Sequence, residues 1–332
     1  MYYRWLDKWD ERQSELGLEG KRSREFEVGG EFAFPSHTEP EDLTDLIKLS
    51  ERACSDEDYY AVIRETTPEV ELESNFVRFV SDEITDVEVN NRASARLTDS
   101  GTRWHAVVVF HHWGAEQRND LLARILAKFG MTVVELALPY HLERGRSPSD
   151  TDLFVSANLG RTIQSLRQGV LDGQRVVQFL GGQHYENISV LGTSLGSWVA
   201  ALVAAHTDSV SKAALVLSGG SAADVVWTGR ATRLVRESLE TNVTLEQLRR
   251  AWCTLDLNHY ADKLSRPGLQ IQFVLAQRDQ VIRPEISEEF VSRLRDANAN
   301  IGIRQVNCGH RSLGRFPHNL FALHAMLSFL RR

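Results

Sequence analysis

One run constrains this chain more than any other: Asn187-Ile188-Ser189-Val190-Leu191-Gly192-Thr193-Ser194-Leu195-Gly196. An apolar, β-branched stretch enters a Gly-Thr-Ser-Leu-Gly turn and leaves it as the apolar helical pattern of Leu195–Ala205. A strand that reverses into a helix within so few residues brings backbone against backbone. Glycines are therefore needed on both sides of Ser194, and the serine hydroxyl is lifted above the sheet. The start of the following helix favours negative charge at that point. Gly-x-Ser-x-Gly alone arises by chance; between a strand and a helix it reads as a nucleophile. The competing reading is a glycine-rich turn with a solvated serine.

The rest of the chain fits a sheet that can carry such a turn. Short apolar runs bounded by turn residues occur at 104–110, 132–138, 187–191, 212–217, 269–276 and 301–306. They alternate with helical patterns at 120–129, 153–180, 195–205, 286–297 and 320–331. Alternation of this kind predicts an α/β fold with a mostly parallel central sheet flanked by helices. In the last helix, Leu320, Leu323, Leu327 and Leu330 recur at helical spacing. Upstream, 76–80 and 87–97 read as two antiparallel strands, and His37 to Asp42 as a loop followed by a helix start. Residues 1 to about 100 are acidic and weakly patterned, and 1–75 form an N-terminal extension expected to pack on a catalytic domain of residues 76–332. Within that domain, 221–268 interrupts the alternation with helical patterns at 231–239 and 244–252. This insertion is either a helical cap over the site or a pair of packing helices on its rim.

A serine hydroxyl needs a base, and the base an orienting acid. Gln277-Arg278-Asp279 follows the 269–276 run directly, which makes Asp279 the candidate acid; a turn or helix-capping role is its alternative, and Asp224 is the rival acid. Asn307-Cys308-Gly309-His310 follows the last run, with Gly309 free to turn the imidazole of His310 toward the serine. His318 and His324 are competing bases. Cys308 reads as filler near a turn rather than a nucleophile. The His111-His112-Trp113-Gly114 segment follows the 104–110 run, where a loop amide completes an oxyanion hole with Leu195, the residue after the nucleophile. The second donor is assigned to Trp113, with His112 as the alternative. No carboxylate or third histidine accompanies the two histidines at ligand spacing, so neither a metal nor any other cofactor is expected.

Ser194 in GTSLG, the HHWG loop, Asp279 after its strand and His310 in CGH, in that order, resemble the α/β-hydrolase superfamily over roughly residues 76 to 332. The nearest likeness is to its bacterial esterase and dienelactone-hydrolase-like branches. The resemblance implies a serine esterase acting through an acyl-enzyme on a small-molecule acyl substrate. Two departures stand out. The usual His-Gly of the oxyanion loop is His-His here, and the first 75 residues match no known family pattern.

Composition excludes more than it selects. The chain has 332 residues, 42% of them hydrophobic and 25% charged, with a formal charge of −7. That balance gives no support to a nucleic-acid or anionic-membrane partner. The start, MYYRWLDKWDERQ, is charged and amphipathic, and no apolar run is long enough to span a bilayer, so a cytoplasmic location is the default expectation. Three cysteines far apart make neither a disulfide framework nor a metal site. Trp113, Trp198, Trp227 and Trp252 are candidates for an apolar pocket, or simply core. A thioesterase, a peptidase of the same fold and a non-catalytic binding protein on this scaffold are the rival functions; the oligomeric state is not legible.

Overall fold

The computed structural model describes residues 1–35, 42–62 and 69–332. Most of the predicted loop from His37 to Asp42 lies outside the described residues; the helix after it runs Leu43–Cys54, capped by the Asp42 side chain accepting from the Asp45 amide.

Among the described residues nine strands form one sheet: β1 Glu71–Glu73, β2 Phe76–Val80, β3 Arg92–Thr98, β4 His105–Phe110, β5 Met131–Leu136, β6 Asn187–Thr193, β7 Val210–Val216, β8 Gln270–Ala276 and β9 Asn300–Val306. Their spatial order is β1-β2-β3-β5-β4-β6-β7-β8-β9. From β5 to β9 every pair is parallel; β1, β2 and β3 extend the β5 edge antiparallel. The sheet thus begins upstream of residue 76. Chain order reverses direction beside β4, whose neighbours are β5 and β6, and the loops leaving β4 and β6 diverge there. In open α/β sheets that divergence, at the carboxyl ends of the strands, is where a crevice opens.

Alternation along the strands divides the interior in two. Ala106, Val108 and Phe110 of β4 face a core that includes the helices Leu159–Gly182 and Leu195–Ala205. Val107 and Val109 face the opposite core, which includes the helices Asp120–Lys128 and His318–Leu330. The Leu195–Ala205 helix is apolar on every side and buried along nearly its whole length, which fits its place between sheet and insertion.

Three expected elements differ. The 87–97 run is not one strand: Glu88–Asn91 forms a 3₁₀ turn before β3. Asn90 is the cause, a fully buried polar hub whose side chain donates to Gln168 and accepts from the Tyr140 amide while its carbonyl accepts from Arg144. The 153–180 helix starts at Leu159, because Asn158 takes the cap position and accepts from the Arg161 amide. In the terminal helix the buried face holds Ala322, Met326, Phe329 and Leu330, whereas Leu320 is 51% exposed and His324 is exposed. Its sequence is apolar on more than one side, so the leucine spacing overlaps the buried face at Leu330 and the partly buried Leu327 and misses it at Leu320.

Candidate active site

Ser194 sits between β6 and the Leu195–Ala205 helix with φ 53° and ψ −120°. A non-glycine residue rarely holds this conformation, which costs on the order of 1–3 kcal/mol and persists only where its surroundings impose it. They do so tightly here. The Ser194 amide donates to Val216 at 2.8 Å, and its carbonyl accepts from the Ser197 amide at 2.8 Å and the Ser197 hydroxyl at 2.6 Å. A Cβ on Gly192 would lie 2.1 Å from the Gly196 carbonyl oxygen, and one on Gly196 2.2 Å from that of Phe110. Both glycines are therefore demanded by contact.

The loops after β8 and β9 bring two predicted residues to this serine. His310 Nε2 lies 3.0 Å from Ser194 Oγ, and its Nδ1 lies 2.7 Å from Asp279 Oδ2. With Nδ1–H donated to the carboxylate, Nε2 carries the lone pair that accepts the serine proton. The other Asp279 oxygen accepts the amides of Val281 and Ile282 at 2.8 and 2.9 Å, so the carboxylate is held from behind and is only 6% exposed. The rivals are engaged elsewhere. Asp224 is paired with Arg249, at 2.6 Å. His318 donates from Nδ1 to the Ser312 carbonyl. Cys308 is fully buried, its thiol pushed up to about 12 by burial, and so remains a neutral packing group.

The His111–Gly114 loop follows β4. Leu195 is the first residue of its helix, so its N–H has no partner within that helix. Trp113 lines the same cavity as Ser194 and Leu195, its indole fixed by donation to the Thr151 carbonyl at 2.8 Å. His112 stands next to it, exposed. Sequence reasoning missed what anchors this loop. The Gly114 amide donates to Nε2 of His141 at 3.0 Å, and His141 Nδ1–H donates to the Pro139 carbonyl at 2.7 Å. Reciprocally, the Leu138 amide donates to Nε2 of His111, whose Nδ1–H donates to the His112 carbonyl. Two neutral imidazoles thus tie the loop after β4 to the loop after β5. Burial moves the pKa of His141 down to about 4 and holds that of His111 well below the ordinary imidazole range. Both ring nitrogens of His111 are occupied, leaving none for a metal.

Beside the serine is a cavity of about 80 Å³, almost wholly apolar, walled by Phe154, Leu166, Trp198, Val226, Trp252 and Ile282 among others. Val226, Trp252 and neighbours come from the 221–268 insertion, whose helices Ala222–Thr228, Arg233–Leu239 and Leu245–Ala251 lie between β7 and β8. Three of the four candidate tryptophans, Trp113, Trp198 and Trp252, line this cavity; Trp227 does not. A second groove of about 490 Å³, with polar and charged residues among apolar ones, shares Trp113, Val155 and Ala231 with it and runs along residues 14–24 of the N-terminal segment. That segment also reaches the site through Asp10, a buried residue that the acidic, unpatterned N-terminal sequence gave no reason to single out.

No family model matches the sequence, and no curated protein is similar enough to match it. Solved structures do match. An acylaminoacyl peptidase of Pyrococcus horikoshii superposes with a TM-score of 0.61 at 13% identity over 81% of this chain, which spans only 42% of the peptidase. Acetyl xylan esterase 1 of Thermoanaerobacterium sp. JW/SL YS485 gives 0.59 at 16% identity, covering 87% of this chain and 94% of the esterase. An esterase of Pyrococcus furiosus gives 0.53 at 16%, over 80% and 91%. At such identities the likeness speaks for architecture, and no helix among the described residues is long and apolar enough to cross a membrane. Together with the parallel sheet and its strand order, the likeness shows that this chain has the α/β-hydrolase fold.

Proposed function

We propose that this protein is a serine hydrolase that cleaves a carboxylic ester of a short apolar acid. The observation that carries the reading is the continuous chain Ser194 Oγ, His310 Nε2, His310 Nδ1, Asp279 Oδ2, with links of 3.0 and 2.7 Å. His310 takes the Ser194 proton as Oγ bonds to the substrate carbonyl carbon, and the carbonyl π electrons move onto oxygen. Leu195 and Trp113 amides hold that oxyanion, with His112 as the alternative second donor. On collapse the C–O bond to the alcohol breaks and His310 returns the proton to the departing oxygen. Water then repeats the sequence on the acyl-enzyme, losing a proton to His310, and releases the acid and free Ser194. Asp279 holds the tautomer throughout, and no metal or cofactor takes part.

The adjacent cavity supports an ester with a small acyl group. An apolar cavity of about 150 Å³ holds a benzene ring; about 80 Å³ suits an acyl chain of a few carbons. The two esterases that superpose over more than nine-tenths of their own length are compatible with this choice. The test is a panel of 4-nitrophenyl esters from acetate to dodecanoate, beside matched thioesters and N-acetyl peptide anilides. The expected result is highest kcat/KM on acyl chains of two to four carbons and slow or no anilide cleavage. Faster cleavage of the anilides would favour a peptidase, and faster thioesters a thioesterase.

A further inference from the structure

Directly after His310 stands a guanidinium that has the carboxylates of Asp10 and Asp279 in its neighbourhood and an ion pair with neither. Arg311 lies mostly buried at the wall of the second groove, its Nε buried without a hydrogen-bond partner. Among the described residues no carboxylate forms an ion pair with it. Its backbone is fully committed, since its amide donates to Asp10 at 2.7 Å, so the side chain is carried at a fixed point beside the histidine. Burial lowers its pKa from the ordinary value, with Asp10 and Asp279 acting in the opposite sense. A guanidinium held partly out of water with its Nε–H unpaired gains when a ligand supplies the missing acceptor.

The groove around it is electropositive in a protein of formal charge −7. Lys21, Arg22, Arg24 and Arg311 line it against Glu116 and Asp152. Asp152 is shared, 2.6 Å from Lys21 and 3.9 Å from Arg24. Arg22 is exposed, and Lys21 also sits over the Trp113 ring at 5.8 Å, at the junction of groove and cavity. The two compartments have opposite character on either side of the same junction. The apolar one is walled by fully buried residues such as Phe154 and Trp252, and the basic one opens among exposed residues of the N-terminal segment. An acyl group stays covalently attached until water attacks, whereas the alcohol leaves first and needs the larger, solvent-facing space.

Resting on the hydrolase reading above, we propose that the alcohol half of the substrate carries an anionic group, a carboxylate or phosphate, held by Arg311 in this groove with Lys21 and Arg22 at its rim. A guanidinium pairs such groups through two parallel N–H donors, which adds orientation to charge.

The test compares the butyrate esters of 4-hydroxybenzoate, of its methyl ester and of 4-hydroxyphenyl phosphate, at pH 7.5 and low salt. The quantity read is the ratio of kcat/KM, anionic over neutral. The expected ratio is about tenfold or more, from one charge-assisted contact, falling as sodium chloride is raised to 0.5 M by screening. Preference for either anion supports the assignment, and the larger ratio identifies the group. Arg311→Gln brings the ratio down to about threefold or less, the share left to Lys21 and Arg22, whatever its absolute rate, and Arg311→Lys restores part of the loss. Should Arg311→Gln fold poorly, Arg22→Gln at the exposed rim lowers the ratio about twofold to threefold. A wild-type ratio at or below one, or a ratio unmoved by both substitutions, overturns the proposal. An enzyme that cleaves none of the three esters and takes no fluorophosphonate label refutes the hydrolase reading itself.

Discussion

Asp10, in the N-terminal helix Tyr2–Leu16, holds the loop that carries His310: one carboxylate oxygen accepts the amides of Arg311 and Ser312 at 2.7 and 2.9 Å, and the other accepts the Ser312 hydroxyl. The Ser312 hydroxyl in turn accepts the Gly309 amide at 2.9 Å. A Cβ at Gly309 would stand 2.6 Å from the Asp10 carboxyl carbon, so the glycine is required by this contact. A residue three hundred positions upstream thereby sets where the imidazole points. Removing it takes the acceptor from the buried Ser312 amide and the partly buried Arg311 amide, at about 1–3 kcal/mol each before relaxation, while the Ser312 hydroxyl keeps the Gly309 carbonyl at 3.4 Å. Asp10→Ala is expected to lower stability by about 3 kcal/mol and kcat by tenfold or more, with KM little changed. Asp10→Asn, which keeps an acceptor for the two amides, recovers much of both. Steady-state kinetics with urea unfolding on both variants checks this; equal kcat in wild type and Asp10→Ala contradicts it.

The His141 to Gly114 bond makes a separate claim on the oxyanion loop. A displacement of about 1 Å in catalytic positioning is worth about a hundredfold in rate. His141→Leu removes the acceptor and is expected to reduce kcat between tenfold and a hundredfold, whereas His141→Gln, able to accept at a similar distance, loses less. The loss falls on kcat rather than KM, because in the proposed mechanism the neighbouring Trp113 amide stabilises charge that appears only in the transition state. A rise in KM with kcat unchanged would assign the loop to substrate binding instead.

Two carboxylates compete on sequence grounds and part company in the fold. Asp279→Asn presents the wrong partner to His310 and is expected to cut turnover about three to four orders of magnitude with the fold intact. Asp224→Asn disturbs a partly exposed pair with Arg249 and changes turnover less than threefold. Circular dichroism beside kinetics on both variants checks this. The reversed pattern would move the acid to the end of β7.

Buried histidines give stability a defined pH dependence. His105 and His141 are each 1% exposed, and burial, the largest cause, lowers each to about 4 from an ordinary 6.5. Between those values the unfolded chain binds protons that the folded one does not. Stability is therefore whole above about pH 6.5 and is lost as the pH falls toward 4, at about 1.4 kcal/mol per pH unit for each histidine. Buried carboxylates with raised pKa, such as Glu135, act the other way, so the decisive readout is a difference. Urea midpoints at pH 7 and pH 5 should fall more in wild type than in His105→Gln. Parallel midpoints in the two proteins would contradict the assignment.

Ser194, Asp279 and His310 were legible in the sequence because each follows an apolar strand and because Gly192, Gly196 and Gly309 mark where the backbone turns sharply. Strand identity was legible for the same reason, as runs such as 104–110 and 269–276 are bounded by turn residues. What escaped has a common cause. Asn90, Asp10 and His141 act through contacts with residues distant in sequence, and a lone polar residue carries no periodicity that announces them. Asn90 breaks the 87–97 run by turning into the core, and Asp10 lies on a helix whose charged face reads as solvated until its partner loop is in place. In the terminal helix the leucine spacing was legible only in part: apolar residues on several faces fit more than one stripe, and packing against β7, β8 and β9 kept Leu330 and left Leu320 outside.

The central claim is that Ser194 is the group that becomes acylated, and covalent labelling tests it most directly. Its φ of 53°, its hydrogen bond to His310 and its place at the helix start all converge on the hydroxyl oxygen. A fluorophosphonate should label the native protein once, with the adduct mapped by mass spectrometry to the peptide containing Ser194. In Ser194→Ala the label should vanish and aryl-ester turnover should fall by about a millionfold, the scale seen when a serine protease loses its nucleophile, while the melting temperature stays level or rises as the strained turn relaxes. Persistent labelling of Ser194→Ala at another residue, with near-normal ester hydrolysis, would contradict the account.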